Sequence, residues 1–393
     1  MKVTMVAAPF GQQGQMHIHC RRYLRLLQLA GCSVALFEHS GAASPDIADV
    51  EHYKYPRRMR RLDGLISSRA LSFIHKRRLQ PLLRAAQADV FHVQWMDDRV
   101  LDMSLAGGRP LVATAWGSDL NVPLAAPESD PGRKRLGAAL RALDLLVVDC
   151  EDIVDTARTL AGVDIPSAML PIGIDTQLFR PDLSTQRQQW RRQLNIESDA
   201  VVYLSARQLG AIYRPVEIIR AFASMPATVL NKSYLIVRTF GHSVGTSLPE
   251  LHRLTKELGI APRVRWVGGM AYEEQPALFA AADLAVNFPE MDAFPVTILE
   301  CLACGIPVLT NRLKAYESHG VASYLTFTAA DSIAELAATM ATAFTHLKAL
   351  QARAADGRAH AVQHFDERIS AAHLRAIYES LLARLELSAT QAV

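Results

Sequence analysis

The sequence lacks two features that would define large classes of protein. It has no apolar run near the roughly 18–20 residues that a membrane-spanning helix needs. It also has few cysteines, five in 393 residues, at the scattered positions 20, 32, 150, 301 and 304. An odd, scattered set argues against a disulfide framework. Cys301 and Cys304 have redox-motif spacing, but they fall inside an apolar helical segment instead of at a helix start. We therefore expect no redox or metal site and a reducing, cytoplasmic compartment.

A secretory signal is also not expected. The apolar stretch of residues 1–8 is short and runs into Gly11-Gln12-Gln13-Gly14, which favours a first β-strand and a turn.

Acidic residues are almost missing from residues 54–84, where ten basic residues stand against Asp63 alone, although the whole chain carries only +3. Leucine, isoleucine and phenylalanine are interleaved with these cations. Two interpretations stay open: a solvated helical face, or an interfacial patch for anionic lipid, worth about 1 kcal/mol per basic residue. Nucleic acid also attracts such charge, but no recognition motif supports it, so we expect no nucleic-acid partner.

What the sequence does have is a regular alternation of short apolar segments with helical segments. Continuous apolar runs of this length predict parallel strands covered on both faces, the doubly wound α/β arrangement. The predicted strands are residues 3–8, 33–38, 89–93, 111–115 and 145–148, and then 201–204, 234–237, 264–267, 284–286 and 308–309.

A Gly- and Pro-punctuated segment, residues 171–181, separates the two series of strands. We therefore predict an N-terminal Rossmann-like domain over residues 1–178 and a C-terminal one over residues 179–365. A last helix, within residues 366–393, is expected to pack back on the first domain.

The strongest chemical signal is the stretch NFPEMDAFPVTILECLACGIPVLTN, residues 287–311. Asp292 is placed in a loop and Glu300 on the following helix, with seven residues between them. Pro295 suits the first helical position. The free N–H groups and positive dipole end of that first turn, residues 295–298, form a ready anion site.

This stretch resembles the E-x7-E region of retaining glycosyltransferases of family four, which have the GT-B fold. Residues 171–181 are similar to the family's hinge segment, with Ile172 where Asn is usual. Ser205-Ala206-Arg207 resembles the strand end that presents a diphosphate-binding arginine. Residues 264–268, followed by 281–283, resemble the segment before the carboxylate motif. The resemblance implies two Rossmann-like domains facing a cleft, and sugar transfer from a nucleotide-sugar donor with retention of configuration.

The resemblance also implies roles for individual residues. Glu300 would bind the donor ribose hydroxyls, Asp292 the sugar ring, and Arg207 the diphosphate leaving group. Charge stabilisation of that kind is worth about 3–4 kcal/mol per well-aimed donor. The other predicted donor-binding positions are Phe294, Pro295 and Val296 facing the sugar and diphosphate, Val267 and Gly268 near the base, and Gly11 and Gly14 near the phosphates. For the last two a simple tight turn is an equal alternative.

The sequence departs from the family pattern at three positions. Asp292 stands where the family has Glu, and Tyr213 stands where a Lys usually follows the arginine. Arg214 is therefore the predicted second cation. Trp116-Gly117 replaces the family's His-Gly, and Asp119 becomes a candidate for contact with the acceptor or donor sugar. His92, at a strand exit, is kept as a minor candidate.

The predicted function is a retaining glycosyltransferase that uses a nucleotide sugar as substrate. Its acceptor would be a glycan or a lipid-linked precursor, as in polysaccharide assembly. No cofactor and no obligatory metal are expected, because arginine cations replace the metal. The main alternative is a catalytically silent nucleotide-sugar-binding protein, suggested by the three departures. A phosphorylase or a nucleotide-sugar epimerase would share the fold, and an epimerase would change the sugar without an acceptor.

Overall fold

The computed structural model describes residues 1–8, 16–39, 50–56, 68–240 and 245–391. The chain divides into two compact units. The N-terminal unit comprises residues Met1–Gly173 together with Glu367–Val393, and the C-terminal unit comprises Ile174–Asp366. The chain thus leaves the N-terminal unit after Gly173 and returns to it at Glu367.

All of the described strands belong to two parallel sheets. In chain order they are β1 (Lys2–Val6), β2 (Ser33–His39), β3 (Val50–Tyr55), β4 (Val90–Gln94), β5 (Leu111–Thr114), β6 (Leu145–Val148), β7 (Ser167–Met169), β8 (Val201–Ser205), β9 (Ser233–Arg238), β10 (Val264–Val267), β11 (Leu284–Asn287), β12 (Val308–Thr310) and β13 (Leu325–Phe327).

Helices form most of the described connections between strands and continue the chain after β13. They are α1 (Ile18–Leu29), α2 (Ser68–Ala86), α3 (Asp98–Ala106), α4 (Ser118–Ala125), α5 (Pro131–Arg141), α6 (Glu151–Ala161), α7 (Ser184–Gln193), α8 (Pro215–Ala223), α9 (Ala227–Leu230), α10 (Leu248–Glu257), α11 (Gln275–Ala280), α12 (Val296–Ala303), α13 (Ile333–Thr345), α14 (Leu347–Phe365) and α15 (Glu367–Gln391). None of the described helices is long and apolar enough to cross a bilayer.

The N-terminal unit is built on a seven-stranded sheet with the order β3-β2-β1-β4-β5-β6-β7. Strands β1, β4, β5 and β6 are almost wholly buried because helices cover both faces. The last helix, α15, packs against α1. Two arginines fasten it there: Arg25 pairs with Glu367 at 3.1 Å, and Arg375 Nη1 donates to the Ala30 carbonyl oxygen at 2.9 Å.

The C-terminal unit is built on a six-stranded sheet with the order β10-β9-β8-β11-β12-β13. Its core is a cluster of buried aliphatic and aromatic side chains from β8, β9, β11, α8, α10 and α13. A buried carboxylate adds a polar tie. Asp283, just before β11, pairs with Arg187 and Arg191 of α7, each at 2.6 Å, and accepts the Val202 N–H at 2.8 Å.

The prediction of two doubly wound, Rossmann-like α/β units is confirmed. Three strands were not predicted, and each of them is an edge strand of its sheet: β3, β7 and β13. An edge strand is covered less completely than a central one, so its sequence need not be a continuous apolar run. Strand β3, with the sequence VEHYKY and mostly exposed or half-buried residues, shows this directly.

Candidate active site

The candidate site lies where the strand order of the C-terminal sheet reverses, between β8 and β11. In a parallel sheet the connections leave these two strands in opposite directions, so a crevice opens at their carboxyl ends, where ligands bind. Arg207 follows β8 and Asp292 follows β11. The sheet order therefore brings together two residues that are 85 positions apart in the chain.

Arg207 and Asp292 form a two-point ion pair. Arg207 Nη1 donates to Asp292 Oδ2 at 2.7 Å, and Nη2 donates to Oδ1 at 3.1 Å. Their side chains are only 13% and 10% exposed. Burial alone would lower the pKa of Arg207, but the Asp292 carboxylate, with Tyr213 and Tyr316, raises that pKa above its ordinary value. The guanidinium is thus a permanent cation at the switch point.

Two tyrosines complete the environment of this pair. The Tyr213 ring lies 4.2 Å from the Arg207 guanidinium carbon, a cation–π geometry. Tyr316 donates its hydroxyl to Asp292 Oδ2 at 3.0 Å and accepts from Asn287 Nδ2 at 2.9 Å. Burial, followed by the Asp292 charge, raises the pKa of Tyr316 well above its ordinary value, so it remains a donor.

Tyr316 was not among the predicted site residues. It lies in a 3₁₀ segment, Lys314–Tyr324, 24 residues after Asp292, and no spacing or motif marks it. Tyr213 was noticed only as a replacement for lysine. The structure gives it a specific position, flat beside the arginine.

Helix α12 carries Glu300, which is 2% exposed. The helix begins at Val296, and Pro295 is the residue before it, with φ −80° and ψ 120°, so the prediction that Pro295 occupies the first helical position is wrong by one residue. Phe294 is buried against the rings of His319 and Phe365, at 5.1 and 5.6 Å. This packing holds the start of α12 in place after the carboxyl end of β11.

Arg214 takes a different partner from Arg207. It stands directly before α8 in the left-handed region, at φ 49°, and its Nη1 donates to Asp331 Oδ1 at 2.6 Å. Asp331 is about half exposed, with a side-chain exposure of 51%. The Arg214 guanidinium also lies 5.6 Å from the Phe288 ring centre. The turn that carries Arg214 is tied to the Asp292 loop through the Glu290 N–H, which donates to the Ile212 carbonyl at 2.8 Å.

The predicted base-binding positions lie at the carboxyl end of β10. Val267 ends the strand and is buried, and a Cβ built on Gly268 would meet no atom within 4 Å. Arg238 ends the neighbouring strand β9 in register with Val267. Arg238 was not among the predicted site residues, although a charged residue at the end of an apolar strand is a signal that marks it. Gly11 and Gly14 lie outside the described residues.

In the N-terminal unit, Asp119 connects two loops at the carboxyl edge of the sheet. Its Oδ2 accepts the Met96 N–H at 2.9 Å, and its Oδ1 accepts the Trp116 N–H at 3.0 Å. Burial raises the pKa of Asp119 to about 7, although these backbone donors lower it. The Trp116 ring lies 5.5 Å from Trp95 and 4.8 Å from His17. Asp119 therefore positions an aromatic cluster at this edge.

His92 has a structural role in the N-terminal unit. It lies in the middle of β4, is fully buried, and contacts Tyr378 of α15 at 2.5 Å through Nδ1 and Thr114 at 2.7 Å through Nε2. Burial lowers the pKa of His92 to about 3. The minor site prediction placed this residue at a strand exit. The structure instead makes it the link between the sheet and the last helix.

The described part of the basic window, residues 54–56 and 68–84, includes helix α2. Leu79 and Leu83 of α2 are buried, whereas Arg77, Arg78 and Arg84 are exposed. Phe73 is 56% exposed, and the Arg77 guanidinium lies 5.0 Å from its ring. Arg57, Arg58, Arg60 and Arg61 lie outside the described residues. The described part of α2 thus has an apolar inner face and a cationic outer face.

Across the described parts of the chain, no group of three or more His, Cys, Asp or Glu side chains is arranged to hold a metal ion. All five cysteines are free and buried. Burial raises the pKa of Cys20 to about 12 and raises the pKa of Cys301 and Cys304 above their ordinary value. These thiols pack as small apolar side chains.

Two parallel-sheet units of this kind define the GT-B class of fold. Solved structures with a similar fold support this assignment. HepE of Anabaena in complex with UDP and glucose is 17% identical and matches with a TM-score of 0.73 over 97% of this chain and 99% of that one. Sucrose-phosphate synthase of Thermosynechococcus elongatus is 16% identical, with a TM-score of 0.74 over 98% and 99%.

Family models identify the chain more closely. The model "Glycosyltransferase Family 4" matches residues 16–178, and "Glycosyl transferases group 1" matches residues 186–351. The chain belongs to the family-four glycosyltransferases. D-inositol 3-phosphate glycosyltransferase 2 of Catenulispora acidiphila is 29% identical over 178 residues, which are 44% of this chain. The match spans only 41% of that relative's length.

Proposed function

We propose that this protein transfers a sugar from a nucleotide-sugar donor to an acceptor hydroxyl, with retention of configuration. The observation that carries the proposal is the Arg207–Asp292 pair at the switch point of a parallel sheet, next to the helix that bears Glu300. Similar structures in complex with UDP and with UDP-glucose support a nucleotide-sugar donor.

Arg207 is the residue on which the leaving-group chemistry depends. In the reaction the bond from the anomeric carbon to the diphosphate oxygen breaks, and a bond from that carbon to the acceptor oxygen forms. The acceptor proton passes to the departing phosphate oxygen. The diphosphate gains negative charge as it leaves, and a preorganised, nearly buried cation stabilises that charge strongly. Arg207 also keeps donor capacity, because Asp292 occupies two of its five N–H groups.

Asp292 and Glu300 divide the recognition of the donor. Asp292, held in one orientation by Arg207 and Tyr316, faces the sugar hydroxyls in this proposal. Glu300 takes the ribose hydroxyls, since a buried carboxylate accepts two neighbouring O–H groups well. Arg214 adds a second cation for the diphosphate, and its half-exposed partner Asp331 is readily exchanged for phosphate oxygens. The reaction needs no obligatory metal.

The acceptor is proposed to be a glycan or a lipid-linked precursor, bound by the N-terminal unit. The exposed arginines of α2, Arg77, Arg78 and Arg84, together with the exposed Phe73, support attachment to anionic lipid. Flotation with vesicles that contain anionic phosphatidylglycerol tests this. Binding should fall when the three arginines are changed to Gln and should not occur with neutral vesicles. A triple Gln variant that floats like wild type would refute the membrane role.

Nucleotide release from UDP-, GDP- and ADP-sugars, measured with and without a crude lipid extract, tests the whole proposal. Release from one donor that rises with the extract and is lost in Glu300→Ala establishes the transferase. A protein that binds a donor but releases no nucleotide under any acceptor condition is instead the silent binding protein. A changed sugar without any acceptor would indicate an epimerase.

A further inference from the structure

Arg238 is an unusually buried cation that the mechanism above does not use. It ends β9, is only 2% exposed, and ranks among the largest fully buried side chains of the described residues. Arginine is almost never buried to this extent unless its charge is paired. Its surroundings should therefore contain acceptors for its five N–H groups.

The observed partners of Arg238 do not accept hydrogen bonds from all of its N–H groups. Nη1 donates to Gln275 Oε1 at 3.1 Å, and the guanidinium lies over the Phe240 ring at 4.1 Å. Nε is buried and has no hydrogen-bond partner. A buried donor without a partner costs about 1–3 kcal/mol. The Nε–H group of Arg238 therefore lacks an acceptor among the described residues.

The charge that acts on Arg238 belongs to a residue of the proposed donor site, Glu300. Burial lowers the pKa of Arg238 to about 10, and the charge of Glu300 acts in the opposite direction. Arg238 is thus a cation at neutral pH within the field of the carboxylate that we assign to the donor ribose. No other residue of the proposed donor site combines full burial with an unused N–H group among the described side chains.

The order of the strands places Arg238 on the base side of the ribose. Neighbouring strands are about 4.8 Å apart, so the carboxyl ends of β11, β8, β9 and β10 form a row. Asp292 lies in the loop after the first of these ends, and Arg207 lies just after the second. Arg238 occupies the third, and Val267 in register with it occupies the fourth, followed by the open position at Gly268. A donor that lies along this row, with its sugar at Asp292, brings its base to Arg238.

We propose that Arg238 recognises the base of the donor nucleotide and selects bases with a carbonyl oxygen, uracil or guanine, over cytosine or adenine. Arginine only donates hydrogen bonds. Uracil O4 and guanine O6 accept them, whereas cytosine and adenine carry an amino group at the corresponding position. The amino group of cytosine or adenine is itself a donor, so it would face the arginine N–H groups without accepting a hydrogen bond from them. The location of the nucleotide rests on the proposed function, but its base preference is a separate property.

Titration calorimetry with UDP, CDP, GDP and ADP tests the selection on the full-length protein. UDP and CDP form a matched pair that differs at the C4 substituent, and GDP and ADP form a similar pair. Wild type should bind the carbonyl member of at least one pair about tenfold or more tightly than the amino member. Arg238→Met keeps the apolar stem and should reduce that ratio to about one by weakening the carbonyl member alone.

Arg263→Met is the matched control. Arg263 also stacks on an aromatic ring, that of Tyr234 at 5.0 Å. It directly precedes β10, so it lies at the amino ends of the strands, away from the proposed base site. Its substitution should leave the preference unchanged. Arg238→Lys, which retains a charge but not the planar fork, should lose most of the preference and serves if the Met variant does not fold.

Three results would overturn the inference: a wild type without preference for the carbonyl base, a preference that persists in both Arg238 variants, or an equal loss for all four nucleotides. The last result would make Arg238 a phosphate ligand or a structural residue. Because these measurements need neither acceptor nor turnover, a preference that depends on Arg238 stands even where no sugar transfer is found. Transfer with an unchanged preference would instead refute only the inference.

Discussion

Removing the Arg207 guanidinium is the most direct perturbation of the proposed chemistry. In Arg207→Ala, Asp292 loses both of its hydrogen bonds from the guanidinium and, among the described side chains, keeps the one from Tyr316. The variant therefore has two separate effects, one on the leaving group of the reaction and one on the stability of the C-terminal unit. A useful experiment must separate them.

The size of each effect follows from the geometry. A well-aimed donor to a developing oxyanion is worth about 10²–10³ in kcat, which is about 3–4 kcal/mol. The pair is only about one-tenth exposed. Breaking a pair at such a position by removing one partner costs about 3–5 kcal/mol, because a charge is left without compensation. In Arg207→Ala/Asp292→Asn that charge is also removed, so most of the stability should return.

The assay combines thermal melting with nucleotide release at saturating donor. We expect Arg207→Ala to lose both stability and turnover, and the double variant to regain stability but not turnover. Arg207→Lys keeps the charge and loses the two-point geometry, so it should retain intermediate activity. Turnover in the folded double variant within about threefold of wild type would refute the role of Arg207 in the leaving-group step.

Three further predictions concern single residues. His92 is neutral in the folded protein, with a pKa of about 3, but takes up a proton in the unfolded chain. Stability should therefore fall by about 1.4 kcal/mol per pH unit as pH drops from about 6 to 4, and His92→Gln should reduce this slope in denaturant titrations. Asp283→Ala leaves two arginines without their carboxylate and should cost about 3–5 kcal/mol in unfolding free energy. Arg214→Ala should lower donor turnover about tenfold or more while changing stability by less than about 1 kcal/mol.

Each of these has a control on the same chain. Asp182→Ala removes a mostly exposed partner of Arg180 and should change stability by less than about 1 kcal/mol. An equal loss of stability in Asp182→Ala and Asp283→Ala would contradict the claim that the buried Asp283 pairs stabilise the fold more than an exposed pair. Arg312→Ala, which breaks an exposed pair with Glu317, should leave turnover unchanged. A pH slope that survives His92→Gln must arise from other groups.

The sequence was most informative where one local pattern determines one element. Central strands buried on both faces are continuous apolar runs, and β8 and β11 were predicted within about one residue at each end. The edge strands β3, β7 and β13 lack that pattern and were missed. Helix ends depend on backbone geometry, and for this reason Pro295 lies one position outside the helix that it was expected to begin.

The α/β alternation, the family resemblance and the order of the residues along the chain could be read from the sequence alone. Which of these residues meet depends on the tertiary structure. The two-point geometry of Arg207 and Asp292, the Tyr316 hydrogen bond and the place of Arg238 in the field of Glu300 depend on strand order and loop packing. Local periodicity records whether a residue is buried, but it carries no information about which distant strand becomes its neighbour. Long-range pairing is settled only when the whole sheet assembles.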